Sequence, residues 1–243
     1  MFPTLDEVRG LEWETLRVIT ETGIFARLGD LQAAAKSGLK RINRDRGAVN
    51  VHLGFTLDIR LRGDRQARLR RVDVGALVSP TPDQRSIQNA SYGVTICRTN
   101  DPTTSAIVRK LHFDYEPIAF RNRGEPKPTV HMQICGQLSP HHLAAGYTQL
   151  RLKTLFPQWE KPRIPVPPVS LALLLNWLLL EFQSDVASQG ALRDDRWRNI
   201  VASAERTMLI PYFDAASKFL NAATHAKSRF YQRHLYELSN EWS

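Results

Sequence analysis

Two stretches of this chain alternate apolar and polar side chains with a period of two, and that alternation constrains the fold more than anything else in it. In the first, Val51, Leu53, Phe55, Leu57, Ile59 and Leu61 alternate with His52, Gly54, Thr56, Asp58, Arg60 and Arg62. The second runs from Ile107 to Gly136: Ile-Val-Arg-Lys-Leu-His-Phe-Asp-Tyr-Glu, a Pro/Gly/Arg loop, then Thr-Val-His-Met-Gln-Ile-Cys-Gly. Successive side chains of a strand point to opposite faces, so strict alternation reads as a half-buried strand. Gly63-Asp64 supplies a turn after the first stretch. Val72, Val74, Ala76 and Val78 mark a second strand, and Tyr92, Val94 and Ile96 a short third. With the two arms of Ile107–Gly136 as strands four and five, the economical arrangement is an antiparallel meander, oily on one face and polar on the other.

Helical patterns flank this sheet. Thr4-x-x-Glu7 is a capping box, in which the hydroxyl accepts from a backbone N–H three residues on while the carboxylate reaches back. Leu5, Val8, Leu16 and Ile19 follow at helical spacing, and Gly23 marks the stop. A second helix is expected from about Asp30 through Ala33-Ala34-Ala35 to near Arg41, and a short one near Leu150–Phe156. The prolines from Pro162 to Pro168 make a stiff connector, unable to propagate a helix or a central strand. Ser170 then caps Leu171–Phe182, apolar nearly all round and suited to covering the oily sheet face. Trp197, Ile200, Val201, Ala204 and Met208 form the next stripe, ended by Pro211, and Phe213, Ala216, Phe219, Leu220 and Ala223 the last. The expected class is α+β: N-terminal helices, a five-stranded mainly antiparallel sheet, and a C-terminal helical segment packed on the apolar face. One domain over residues 1–243 is the simplest division. The alternative is a boundary at the Pro-rich connector 160–169, separating 1–160 from 170–243.

Charge bears on partners. Thirty-three Lys and Arg against 24 Asp and Glu leave a net charge of +9, which favours a polyanion such as nucleic acid. Arg60, Arg62, Arg65, Arg68, Arg70 and Arg71 crowd the tip of the first hairpin, and Arg121, Arg123 and Lys127 the loop of the second. A meander placing both loops at one end would give phosphates a continuous basic rim. The alternative role for these arginines is to keep an exposed sheet edge soluble. No helix-turn-helix, zinc-finger or aromatic RNA-binding motif is present, so no base-specific readout is expected. The longest apolar run, Leu171–Leu180, has ten residues with Asn176 inside it, where a membrane span needs about 20. Met1 to Glu7 has neither the basic nor the apolar region of a signal peptide, so none is expected, and two cysteines make no disulfide framework. A cytoplasmic protein with no membrane partner is the expectation.

The hairpin carries the candidate chemistry. Lys110, His112, Asp114 and Glu116 share one face of strand four, and Thr129, His131, Gln133 and Cys135 one face of strand five. Matching apolar to apolar fixes the register to even slips. Pairing residues whose numbers sum to 245 sets His112 opposite Gln133 and Asp114 opposite His131. Opposed Cβ atoms lie about 4.5–5.5 Å apart, within reach of an Asp–His contact. A carboxylate-held histidine beside a second histidine and a lysine is an acid/base set for metal-independent RNA cleavage. One imidazole would take the 2′-hydroxyl proton, the other would protonate the leaving oxygen, and Lys110 would stabilise the transition-state charge. The competing reading is a solvated polar face in which Asp114 and His131 make a simple cross-strand pair. Zinc ligation by His112, His131, Cys97 and Cys135 lacks any metal-site spacing, so no metal or cofactor is expected.

His112-x-Asp114, a loop, Pro128-x-x-His131-x-Gln133-Ile134, then Arg163-Ile164-Pro165 and the Pro-led apolar helix Pro168–Phe182 resemble an uncharacterised family of bacterial proteins. The resemblance covers about residues 105–185. It departs at Cys135-Gly136-Gln137 and does not extend to the N-terminal half. It implies a place in mobile-element, toxin–antitoxin or phage-defence loci, and through that a nucleic-acid substrate or partner. Two readings stay open. One is a nucleic-acid-interacting protein cleaving without metal through His112, Asp114 and His131, supported by Lys110 and Gln133. The other is a non-catalytic subunit of such an assembly, binding a protein partner through its C-terminal helices, with Trp197, Phe230 and Trp242 as interface candidates and the core as the favoured place for Trp197 and Phe230.

Overall fold

A computed structural model describes residues 3–25, 28, 30–45, 47–60, 65–97, 107–115, 130–134, 164–182 and 186–223. Helix α1 (Leu5–Glu21) begins at the expected capping box. The Thr4 hydroxyl accepts from the Glu7 N–H, and the Glu7 carboxylate accepts from the Thr4 N–H at 2.7 Å. A 3₁₀ turn (Gly23–Phe25) leads to α2 (Leu31–Arg44), whose last turn carries Arg41 and Arg44 against the negative end of the helix dipole.

The sheet is a sequential antiparallel meander of β1 (Val49–Ile59), β2 (Arg68–Pro80), β3 (Ile87–Cys97), β4 (Ile107–Tyr115), β5 (Val130–Ile134) and β6 (Ile164–Pro165). Five of these are the expected strands. β3 is longer than its short alternating core suggested, because it pairs along the full length of β2. The sixth comes from the proline-dense segment. Two residues pair with His131 and Met132 at the sheet edge, where a proline's missing N–H costs no ladder bond to a further strand.

Helix α3 (Leu171–Glu181) starts where Ser170 accepts from the Leu173 N–H. Then come α4 (Val186–Arg193) and α5 (Asp195–Ala204), the latter capped by Asp194. The expected stop at Pro211 does not occur. A π turn, Glu205–Leu209, runs straight from α5 into α6 (Ile210–Ala223), and Pro211 lies in the first turn of α6. The looser i→i+5 spacing opens the hydrogen-bond ladder where a proline ring would otherwise clash and an N–H is lacking.

The odd residues of β1 and the even residues of β2 and β3 face the helices. Val49 to Ile59, Val72 to Val78 and Ala90 to Ile96 are buried there, in one core with α1, α2, α3 and α5. A buried carboxylate ties this core together. Glu12 of α1 accepts from the Tyr92 hydroxyl of β3 at 2.8 Å and from the Leu171 N–H of α3 at 3.2 Å. Burial pushes its carboxyl up to about 7, although both hydrogen bonds pull the other way. Glu12 stands in the same helical stripe as Leu5, Val8, Leu16 and Ile19. A charged residue in an apolar stripe was the available signal, and reading only its apolar members misses it.

Candidate active site on the polar sheet face

The β4–β5 ladder has the register in which paired numbers sum to 245: Leu111 with Ile134, His112 with Gln133, Phe113 with Met132, Asp114 with His131 and Tyr115 with Val130. Apolar complementarity on one face narrows the register to even slips, and the structure adopts this one of them. Continued through β3, β2 and β1, the registers lay the polar face out in three cross-strand rows. The first is Gly54, Asp73, Thr95 and Lys110; the second is His52, Gly75, Gly93, His112 and Gln133; the third is Asn50, Leu77, Ser91, Asp114 and His131.

The candidate catalytic residues are therefore neighbours. Asp114 Oδ1 accepts from the Ser91 hydroxyl at 2.6 Å, and its Oδ2 lies 3.8 Å from His131 Nε2. That is an ion-pair distance once the imidazole is protonated, and longer than a hydrogen bond. The face is not uniformly solvated. Lys110 is 3% exposed, His112 6% and His131 1%. Asp114, Gln133, Ser91, Gly93 and Gly75 are partly open. Partial exposure thus runs across the face from Gly75 and Gly93 to Asp114 and Gln133, between the buried Lys110, His112 and His131.

Reading β4 and β5 alone misses a second constellation on the same face. His52 Nε2 of β1 lies 3.1 Å from Asp73 Oδ1 of β2, and Arg71 reaches the same carboxylate with Nη2 at 2.9 Å and with Nε at 3.1 Å to each oxygen. The Arg71 guanidinium passes over Gly54, where a Cβ would come within 2.3 Å of Nη2. Burial by itself would raise the Asp73 carboxyl. His52 and Arg71 outweigh it and hold the group below the ordinary carboxylate range. The histidine remains 47% exposed.

The arginines divide. Arg60, Arg65 and Arg68 are exposed at the tip of the first hairpin. Arg70 is buried, with Nε donating to the Ile59 carbonyl at 3.2 Å, and Arg71 is on Asp73. Arg62, Arg121, Arg123 and Lys127 lie outside the described residues, as do Cys135, Glu116, Thr129, Phe230 and Trp242. A continuous rim is not what the topology builds. The tip joins β1 to β2 and residues 116–129 join β4 to β5, so these connections leave the sheet at opposite ends. Only alternate connections of a meander share an end, and these are the first and the fourth. Seven residues separate His52 from Ile59, which puts the arginine tip about 23 Å from the His52–His112 row at the rise of a strand. If the tip contacts phosphates, Arg60→Ala/Arg68→Ala should lower the slope of log affinity against log salt by about 2, one per arginine. Titration of a fluorescent oligonucleotide at several salt concentrations measures this, and an unchanged slope excludes the tip.

Trp197 belongs to the core and not to an interface: it is buried, edge-on to Phe25. Among the described residues no helix is long and apolar enough to cross a membrane, and no three His, Cys, Asp or Glu side chains are grouped as metal ligands. Comparison with known protein families, with curated proteins and with solved structures finds no match to this chain.

Proposed function

We propose that the polar sheet face engages nucleic acid and cleaves RNA without a metal ion, as a component of a bacterial defence or toxin–antitoxin system. The observation that carries this reading is the β4–β5 register. It opposes Asp114 to His131 and His112 to Gln133, with Lys110 two residues along the same face. Proton-transfer groups, a carboxylate that orients one of them and a cation for phosphoryl charge are the parts such cleavage requires. The net charge of +9 supplies the general attraction for a polyanion. The place in a defence or toxin–antitoxin system comes from the resemblance of residues 105–185 alone.

The test is incubation of the protein with labelled single-stranded RNA and DNA, with and without chelator, beside His112→Ala and His131→Ala. RNA cleavage that survives the chelator and falls by about 100-fold or more in both variants is the expected outcome. Intact RNA would reject it. Retention of a protein partner that is lost on replacing Ile210 and Phe213, both exposed on α6, would then favour the non-catalytic subunit.

A further inference from the structure

We propose that His52 is the second proton-transfer group of this site, facing His112 across Gly75 and Gly93, with the scissile phosphodiester of a single RNA strand lying over those two glycines. The inference rests on the cleavage reading above and reassigns one of its roles.

Three observations carry it. His52, Gly75, Gly93 and His112 stand in one cross-strand row on the polar face. Among the described residues of the face His52 is the open histidine, 47% exposed, and His112 at 6% is less covered than His131 at 1%. His52 is also the better oriented of the two, its Nε2 being 3.1 Å from an Asp73 carboxylate that Arg71 braces, against 3.8 Å for His131 and Asp114. With Nε2–H given to Asp73 the ring's tautomer is set, and Nδ1 is the nitrogen presented for proton transfer. Three strand spacings separate the Cα atoms of His52 and His112, about 14 Å. Both rings shorten this gap. The His52 ring leans to Asp73 of β2, and the His112 ring lies over Gly93, with Cδ2 3.5 Å and Nε2 3.9 Å from where a Cβ would stand.

The fold does not demand glycine at the floor of this gap. Among the described residues, a Cβ at Gly75 would meet only the Val51 carbonyl, at 3.7 Å, and one at Gly93 would make ordinary contacts. Glycine inside a strand weakens it and marks a place where another group approaches the backbone. Here that group is a phosphodiester with its flanking sugars.

The step balances. Neutral His52 takes the 2′-hydroxyl proton as the 2′-oxygen bonds to phosphorus. The bond from phosphorus to the 5′-oxygen breaks, and protonated His112 gives its proton to that oxygen. The products are a 2′,3′-cyclic phosphate and a 5′-hydroxyl, with no net proton change. Asp73 stabilises the His52 imidazolium, and Lys110, in the adjacent row, stabilises charge on the phosphoryl oxygens. His131 becomes a positioning residue for Asp114.

The experiment measures kcat and KM on single-stranded RNA, together with Tm, for the wild-type protein, His52→Ala, His112→Ala and Gly75→Val. In His52→Ala, assayed well below its own Tm, kcat should fall about 100-fold or more and lose the limb of its pH profile that reports the base, with partial recovery in imidazole buffer. Gly75→Val, which fills the floor, should raise KM at least tenfold without lowering Tm. Wild-type rates in His52→Ala beside an inactive His112→Ala would overturn this assignment and leave the cleavage reading standing, with His131 as the second group. Absence of cleavage by the wild-type protein would overturn both.

Discussion

Glu12→Gln is expected to remove a fall in stability that the wild-type protein undergoes as pH rises from about 4.5 to about 7. The folded Glu12 carboxyl is pushed up to about 7 by burial, from an ordinary value of 4.5. Between those values the folded state holds a proton that the unfolded chain has released, so stability is highest below the unfolded value and is lost as pH rises through the folded one. The whole step is on the order of 3 kcal/mol, a large part of the 5–15 kcal/mol that holds a typical domain together. Glutamine stays neutral throughout. Its Oε1 can keep the bonds from Tyr92 and Leu171, because Oε1 of Glu12 already accepts both. Urea midpoints at pH 5, 6, 7 and 8 for the two proteins measure the effect as a difference, in which other titrating groups cancel. Parallel curves would show that Glu12 is not the source. A divergence in favour of glutamine that grows from pH 5 to 7 and levels off by pH 8 is the expected result.

Trp197→Ala should destabilise by about 3–5 kcal/mol, the range for emptying a large aromatic site. The ring is edge-on to Phe25 at a centroid distance of 5.0 Å, and Nε1 donates to Asn176 Oδ1 at 3.1 Å. One side chain thus joins α5, the 3₁₀ turn after α1, and α3. Truncation leaves a cavity and takes the donor from the Asn176 oxygen, so the upper part of the range is expected. Trp197→Phe keeps most of the apolar contact and loses the N–H, and should cost about 1–2 kcal/mol. Denaturant titration of the two variants separates packing from hydrogen bonding. A cost below 1 kcal/mol for alanine would contradict a core role and reopen Trp197 as an interface residue.

Legibility in the sequence followed the range over which each interaction acts. The capping box at Thr4 and Glu7 and the cap at Ser170 are set within three residues, and both were readable. The pairing of Asp114 with His131 was readable only as one of the even-slip registers that apolar matching on the far face allows, and the structure adopts it. The opposite exits of the arginine tip and residues 116–129 were also available, needing only a count of connections. Pro211 misled because a π turn, which has no local signature here, relieved the clash that would have ended the helix.

The alternation of residues 49–62 and 107–136, taken by itself, determined an antiparallel sheet with one apolar face, and placed His112, Asp114, His131, Gln133 and Lys110 on the other. Tertiary structure alone decided which of these groups are buried and that His52 of β1 meets Asp73 on the same face. Burial of Lys110, His112 and His131 depends on packing over the face. The approach of His52 to Asp73, 21 residues further on, depends on the β1–β2 register, which pairs His52 with Gly75 and Gly54 with Asp73. Alternation reports which face a side chain occupies. It carries no information about what lies above that face, and that separates a solvated histidine from a buried one.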